Sequence, residues 1–500
     1  MRGLGSLCLF ALRHVCVGPR EWRASRVESG VFKAETMRAL ILILLGLAAP
    51  AMAASHDDPR GLIKTVQPRT AGACVPGDTA LSLAEAVSVA LCRNPRTAVA
   101  WAAAQAAAAG SGAARGSLLP QIDGQIGPTL NRSESFRGTG FVDGNGQFIG
   151  AGASTTTNTT TSARLGLSWL ILDGGARAGR IAAADAQAQA LAAQFDEATQ
   201  AVVLEVVQAW NLLVANRAVE EANEANLEFA LLSRDLAAGR ARAGVATGAD
   251  RLQGETQAAQ AELTLTQTRG NVAGAAARLA VAMGLPPATA LTLAPLPALE
   301  RQMLAGGAEA LIEEAERLRP DLKAARAQLE AADANVRVAR SAGRPSLGVQ
   351  ASNTLTALDA NIDRNLTSVG LTLSVPLFSG WNTRYQIAQA RAQRAQQAAA
   401  LEQTRQNAGL AVYQQYVALE NALASLVPAR ALVASADESA ALAQGRYRAG
   451  AGTFVELLNA QSALATARQQ MVQAEFNVRT AQAELTRAVG TIDTYQGDAP

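Results

Sequence analysis

The amino-acid sequence predicts an α+β membrane protein built from two internal structural repeats, each carrying a strand pair and a long helical hairpin. Three observations carry that expectation. The second half of the chain matches the first without gaps for more than a hundred residues. Two segments in each half alternate apolar and polar residues beside Gly-, Ser-, Thr- and Asn-rich stretches. The helical segments that follow are too long to stay single in water.

Composition narrows the classes of function. With 49% hydrophobic and 17% charged residues, the chain is too apolar to be disordered. Aromatics are only 4%, few for a set of compact globular cores. A formal net charge of +2 leaves no basic footprint for nucleic acid. The only histidines, His14 and His56, lie near the N-terminus, so histidine catalysis and histidine-ligated metals have little to work with. Ser, Asp and Glu form no convergent motif, and no G-x-x-x-x-G-K-[ST] phosphate loop is present. The chain is expected not to be an enzyme and to carry no cofactor.

The N-terminus reads as an address. Residues 39–54, ALILILLGLAAPAMAA, are apolar but shorter than the ~20 residues of a spanning helix. They follow Met37-Arg38 and end in Ala51-Met52-Ala53, so 37–53 reads as a signal peptide cut after Ala53. A buried core helix is the competing reading, which Pro50 and the small-x-small ending disfavour. Residues 1–36 show no such pattern and read as an over-extended N-terminus, with Met37 the better start; N-terminal sequencing of the precursor decides. Beyond Ala53 there remain 37 basic and 39 acidic residues. Cys8 and Cys16 leave with the leader. Cys74 and Cys92 stay in an oxidising compartment and are expected to form one disulfide, the alternative being two inert thiols. No cysteine at the junction indicates a lipid anchor.

After a tail of 54–80, the first repeat covers 81–284 and the second 306–490. The linker 285–305, with Pro286, Pro287, Pro295 and Pro297, separates them, and 491–500 form a C-terminal tail. Pro95 and Pro120 return as Pro320 and Pro345, an offset of 225. Further on the offset is 206: Leu167-Ser168 matches Leu373-Ser374, Gly174 matches Gly380, and Gly284 matches Gly490. The change of 19 places a longer loop in the first copy, between Pro120 and Leu167.

Each repeat starts with an Ala-rich helix, 81–116 in the first. Residues 120–131 then alternate, with Ile122, Ile126, Pro128 and Leu130 on one face and Gln121, Asp123, Gln125 and Thr129 on the other. Residues 160–172 repeat the pattern with Ala163, Leu165, Leu167, Trp169 and Ile171. The second copy offers Leu347, Val349 and Ala351, then Val369, Leu371, Leu373 and Val375. Such strands mark outer-membrane barrels, though a half-buried soluble sheet has the same period. The Gly-, Ser-, Thr- and Asn-rich segments 132–158 and 356–365 read as external loops and favour the barrel.

Residues 176–238 form a helix without proline, on the order of 95 Å long at ~1.5 Å per residue. Val203, Val206, Val207, Trp210, Leu213 and Val214 recur at helical spacing. The counterpart 382–444 contains Pro428, where a bend is expected. Both helices end in one turn: Arg242-Ala243-Gly244 through Thr247, and Arg448-Ala449-Gly450 through Thr453. Return helices 249–283 and 454–489 complete two antiparallel hairpins. Four strands cannot close a barrel in lipid, so copies must share one in a closed ring. Three chains would supply twelve strands and six hairpins, but the strand count does not choose three over two.

The strand pairs, the ungapped repeat and Tyr447-Arg448-Ala449-Gly450-x-x-Thr453-x-x-Glu456-Leu457-Leu458-Asn459-Ala460 together resemble the TolC outer-membrane factor family over about residues 80–490. The resemblance implies a homotrimer with a twelve-strand barrel in the outer membrane, continued by a long α-helical periplasmic barrel. It implies docking on a periplasmic adaptor bound to an inner-membrane transporter, an ABC exporter or a proton antiporter. It places adaptor contacts at the tips, Arg242, Gly244, Thr247, Arg448, Gly450 and Thr453. It assigns the entrance gate to Asp250, Tyr447, Glu456 and Asn459. Asp250 and Tyr447 match positions that tie neighbouring coils in the founding member, whereas Gly452 replaces its arginine partner. Glu456 matches the first of two acidic rings, and Asn459 replaces the second acid. Three Glu456 side chains facing a pore would repel one another and attract cations; the competing reading is a solvated helix-surface residue. The implied role is a passive exit duct for type I protein secretion or small-molecule efflux. The rival is a trimeric coiled-coil surface stalk, against which the matched strand pairs argue.

Overall fold

A computed structural model describes residues 80–136, 141–142, 144–149, 153–294, 307–358 and 361–492. The expected leader, the tail with Cys74 and most of the linker lie outside the described residues. The chain divides into two units, one of which holds 124–165 and 353–367 and the other the remaining described segments.

Strands β1 (Gln121–Phe136), β4 (Ala153–Leu172), β5 (Ser346–Leu358) and β6 (Asn361–Ser374) form one sheet in the order β1-β4-β5-β6. The sheet therefore has two edges, β1 and β6. A small antiparallel ribbon, β2 (Phe141–Val142) with β3 (Phe148–Ile149), pairs Phe141 with Ile149. The loop expected at 132–158 is thus mostly strand and ribbon, and 356–365 is mostly strand. Hydrophobic alternation fails there because Thr, Ser and Asn dominate the run, as in Ser154 to Ser162. Threonine still suits a pleated sheet through its β-branch, and polar pairs replace apolar ones across the strands. Asn131 Nδ2 donates to Thr160 Oγ1 at 3.3 Å, and Asn353 Nδ2 donates to Asn365 Oδ1 and Thr367 Oγ1, each at 2.8 Å. Ile122, Ile126, Leu130, Val369, Leu371 and Leu373 are all exposed among the described residues.

The helices of the other unit are α1 (Leu83–Arg93), α2 (Pro95–Gly116), α3 (Ala176–Arg242) and α4 (Gly248–Ala282) in the first repeat. The second repeat gives α5 (Gly307–Leu318), α6 (Pro320–Ser341), α7 (Asn382–Arg448) and α8 (Phe454–Val489). The single helix expected at 81–116 is broken. Asn94 ends α1 and caps α2, its Oδ1 accepting from Arg96 N at 2.9 Å, with Pro95 at the first helical position. The long helices are whole: α3 and α7 each have 67 residues, about 100 Å at ~1.5 Å per residue. Helix α7 continues through Pro428.

The repeat is visible in the packing. Val206, Leu213 and Leu279 are buried in one core; Val412, Leu419 and Leu485, each 206 further on, are buried in another. Trp210 is buried in the first core, and its counterpart Tyr416 is partly buried against the second. Each return helix ends in a left-handed glycine pressed on the helix break of its own repeat. A Cβ on Gly284 would stand 2.7 Å from Arg93 O, and one on Gly490 3.1 Å from Arg319 Cα. The residues at the two breaks bond equivalent carbonyls. Asn94 Nδ2 donates to Ala282 O at 2.9 Å, and Arg319 Nη1 to Ala488 O at 2.8 Å. Before Gly284, residue Leu81 bridges the start of the linker, donating to Thr292 O and accepting from Ala294 N, each at 2.8 Å. Cys92, near the end of α1, is disulfide-bonded.

Asn94→Ala removes a helix cap and a buried tertiary hydrogen bond together. It is expected to destabilise the fold by about 2 kcal/mol, read as a lowered melting temperature of the detergent-extracted protein. An unchanged transition would show that neither bond contributes.

Candidate functional site

The two hairpin tips are built by the same local rules. Helix α3 ends where Gly244 turns left-handed at φ +72°, with Val245 N donating to Arg240 O at 3.0 Å. Helix α7 ends likewise at Gly450, φ +76°, with Ala451 N donating to Arg446 O at 2.9 Å. Thr247 and Thr453 then cap the return helices: Asp250 N donates to Thr247 Oγ1 and Glu456 N to Thr453 Oγ1, both at 3.2 Å. At the first tip the box is reciprocal, Thr247 N donating to Asp250 Oδ2 at 3.0 Å. Arg242, Gly244, Thr247, Arg448, Gly450 and Thr453 all face solvent. The last-turn arginines also oppose the negative ends of their helices.

The tips meet through Tyr447 and through Arg240, which the sequence did not single out. Arg240 of α3 reaches the second hairpin, where Nη1 donates to Tyr447 O. Its guanidinium lies 4.8 Å from the centre of the Tyr447 ring. Tyr447 is only 3% exposed and packs on Phe454 with ring centroids 5.3 Å apart. Ala237 and Leu457 complete this small core, with Phe229 and Leu236 against it. One signal was available in the sequence. At the offset of 206, Arg240 matches Arg446, but Tyr447 matches Ala241, Phe454 matches Gly248, and Leu457 matches Arg251. The repeats diverge where the second hairpin supplies apolar bulk to hold the first.

The four gate positions are arranged differently from a simple tie. Among the described residues, Tyr447 Oη is buried without a hydrogen-bond partner, and the Asp250 carboxylate is engaged in its capping box. Burial pushes the Tyr447 hydroxyl pKa above its ordinary value; Arg240 opposes this and Asp250 adds to it. Glu456 and Asn459 are exposed on α8. Arg446 Nη1 stands 3.8 Å from Glu456 Oε2, a solvent-exposed pair, while Arg446 Nη2 donates to Ala451 O at 3.1 Å. Gly452 leaves room for this pair: a Cβ there would be 3.2 Å from both Arg446 Cβ and Glu456 Oε2. Among the described residues, no group of three His, Cys, Asp or Glu side chains could hold a metal.

A raised tyrosine pKa makes the tip most stable below the ordinary value of 10.0 and progressively weaker as pH rises past it. The melting temperature of the detergent-extracted protein is therefore expected to fall above about pH 10, in part through ionisation of Tyr447. Tyr447→Phe should make that fall shallower with little effect at pH 7, since the hydroxyl makes no bond to lose. Arg240→Ala should lower the melting temperature at all pH values. An equally steep alkaline fall in Tyr447→Phe would exclude this origin.

Known proteins share this architecture. The outer membrane efflux protein family matches residues 86–285 and 311–491. Protein CyaE of Bordetella pertussis is 33% identical over 351 residues, 69% of this chain and 70% of that protein. The outer membrane efflux protein BepC of Brucella suis is 27% identical over 349 residues, 69% of this chain and 75% of that protein. The solved outer-membrane channel OprN has a TM-score of 0.71 at 23% identity, covering 82% of this chain and 90% of its own. With its repeats, four-stranded sheet and paired hairpin tips, the chain belongs to the outer membrane efflux protein family, the TolC-type outer-membrane channels with a periplasmic extension.

Proposed function

We propose that this protein is the outer-membrane exit duct of a tripartite export system. Three copies form a twelve-strand barrel in outer-membrane lipid, continued by a helical periplasmic barrel. A periplasmic adaptor docks at the exposed tips around Arg242, Gly244, Thr247, Arg448, Gly450 and Thr453. An inner-membrane transporter, an ABC exporter or a proton antiporter, supplies the energy. The observation that carries the reading is a sheet of four strands whose two edges are unpaired among the described residues, in a channel family, on a chain with two matched helical tips. The stalk alternative leaves that sheet without a purpose.

The gate opens by separating the tips, and Glu456 is the acidic group at the entrance. Its neighbour Arg446 offsets part of that charge, so cation binding there is weak. A Cys74–Cys92 disulfide holds the tail 54–80 to the first helix; thiol titration of the mature protein without reductant tests it, and two free thiols would exclude it. Cargo is protein, as in type I secretion, or a small molecule. A deletion strain assayed for drug sensitivity and for missing secreted protein separates the two.

Single-channel recording tests the entrance. Glu456→Ala is expected to weaken block of the current by divalent cations by about tenfold, the equivalent of ~1.4 kcal/mol. Unchanged block would remove Glu456 from the pore.

A further inference from the structure

We infer that the helical unit binds a primary alkylammonium ion in a cavity between its two hairpins, with the ammonium held by Glu484 and Gln415. The walls come from α3, α7, α8 and the start of α6, all in one chain and one unit. The site therefore goes beyond the duct reading and does not require three copies.

Hydrogen-bond accounting gives the ligand its charge. The cavity has a volume of about 370 Å³. Of the four charged side chains that line it, three are already paired. Arg319 grips Asp321 through Nε at 3.0 Å and Nη2 at 2.7 Å. Arg487 Nη2 donates to Glu197 Oε1 at 3.0 Å. Glu484 is the exception. Its Oε1 accepts from the neutral Gln208 amide at 2.9 Å, and among the described residues it has no cationic partner. Gln415, on α7, adds a second unmet need, because its Oε1 is buried without a hydrogen-bond partner. Both unmet groups are acceptors. The group that satisfies them is a donor with positive charge. An ammonium carries three N–H donors and no acceptor.

The size and the remaining walls make that cation organic. Among the described residues, no group of three His, Cys, Asp or Glu side chains could hold a metal. The volume is that of roughly a dozen waters at about 30 Å³ each, far more than one bare ion fills. Leu204, Pro320 and Ala411 give the cavity an apolar wall for a short alkyl stem. Because α3 belongs to the first hairpin and α7 and α8 to the second, a bound amine joins the two.

The first repeat supplies the contrast. A second cavity, about 620 Å³ in volume, is lined in part by Glu205, Ala209, Arg278, Val281 and Ala282. At the offset of 206 these match Ala411, Gln415, Glu484, Arg487 and Ala488. The same place in the fold recurs with its chemistry changed. Arg278 stands where Glu484 would be, and Ala209 where Gln415 would be. Its one carboxylate, Glu205, is paired with Arg96 at 2.5 Å. An ammonium finds no free acceptor pair there. As at the tips, the repeats diverge where one of them has a duty of its own.

Ligand-detected NMR on the full-length protein in detergent tests the site, with n-butylammonium chloride as the probe at constant ionic strength. Saturable binding, absent from empty micelles, is expected. Glu484→Gln should weaken it by about tenfold. Gln415→Leu keeps the carboxylate and removes the unbonded acceptor. It should weaken binding by about threefold and leave the melting temperature unchanged or higher. Potassium, and tetramethylammonium with no N–H to donate, should not displace the probe at equal concentration. An unaltered protein that shows no saturable binding would leave the cavity to water and overturn the inference. Unchanged binding in Glu484→Gln would overturn it too, and if that variant does not fold, unchanged binding in Gln415→Leu decides in the same way. Displacement by potassium would mark an inorganic-cation site, and displacement by tetramethylammonium a site that reads charge alone; either overturns the ammonium assignment.

Discussion

A peptide group in hydrocarbon has no water to bond, so every strand edge placed there must be paired. This constraint governs the protein. The sheet has four strands, and among the described residues its edges β1 and β6 pair with no further strand. Its exposed Ile122, Ile126, Leu130, Val369, Leu371 and Leu373 suit lipid rather than water. A single chain cannot satisfy the edges and the apolar band together, and repetition around a ring satisfies both. The long helices share the condition, since α7 leaves most of its apolar window uncovered.

On the proposed trimer, the internal repeat would let one chain supply a ring with near-identical parts. The two cores coincide at an offset of 206, from Val206 with Val412 to Leu279 with Leu485. The two helix breaks coincide at 225, where Asn94 and Arg319 bond Ala282 and Ala488. Where the copies agree, the residues hold a shared architecture. Where they differ, they have separate duties. Tyr447, Phe454 and Leu457 form an apolar clamp for Arg240, and their matches Ala241, Gly248 and Arg251 cannot. Each chain's two tips are therefore fastened to one another by packing that the first repeat does not duplicate.

Much of this was legible in the sequence. The valines of α3 at helical spacing marked a buried stripe, and Val203, Val206, Val207, Trp210 and Leu213 are all buried. Gly244 and Gly450 marked the tips because only a left-handed residue ends those helices cheaply. Other features were hidden for physical reasons. The break at Asn94-Pro95 was lost because alanines on both sides sustain a helical pattern, while Pro95 fits the first position of a new helix as well as it ends an old one. The start of β4 was lost because threonine and asparagine pairs leave no hydrophobic alternation. Arg240 was missed because its partners lie in the other repeat, about two hundred residues away, and only the mismatch between copies pointed to them.

The central claim is that copies of this chain complete one another in lipid. Native mass spectrometry of the mature protein, released from detergent micelles, measures it most directly. The account predicts one dominant species with the mass of three chains. A folded single chain, stable in buffer after the detergent is removed, would contradict it.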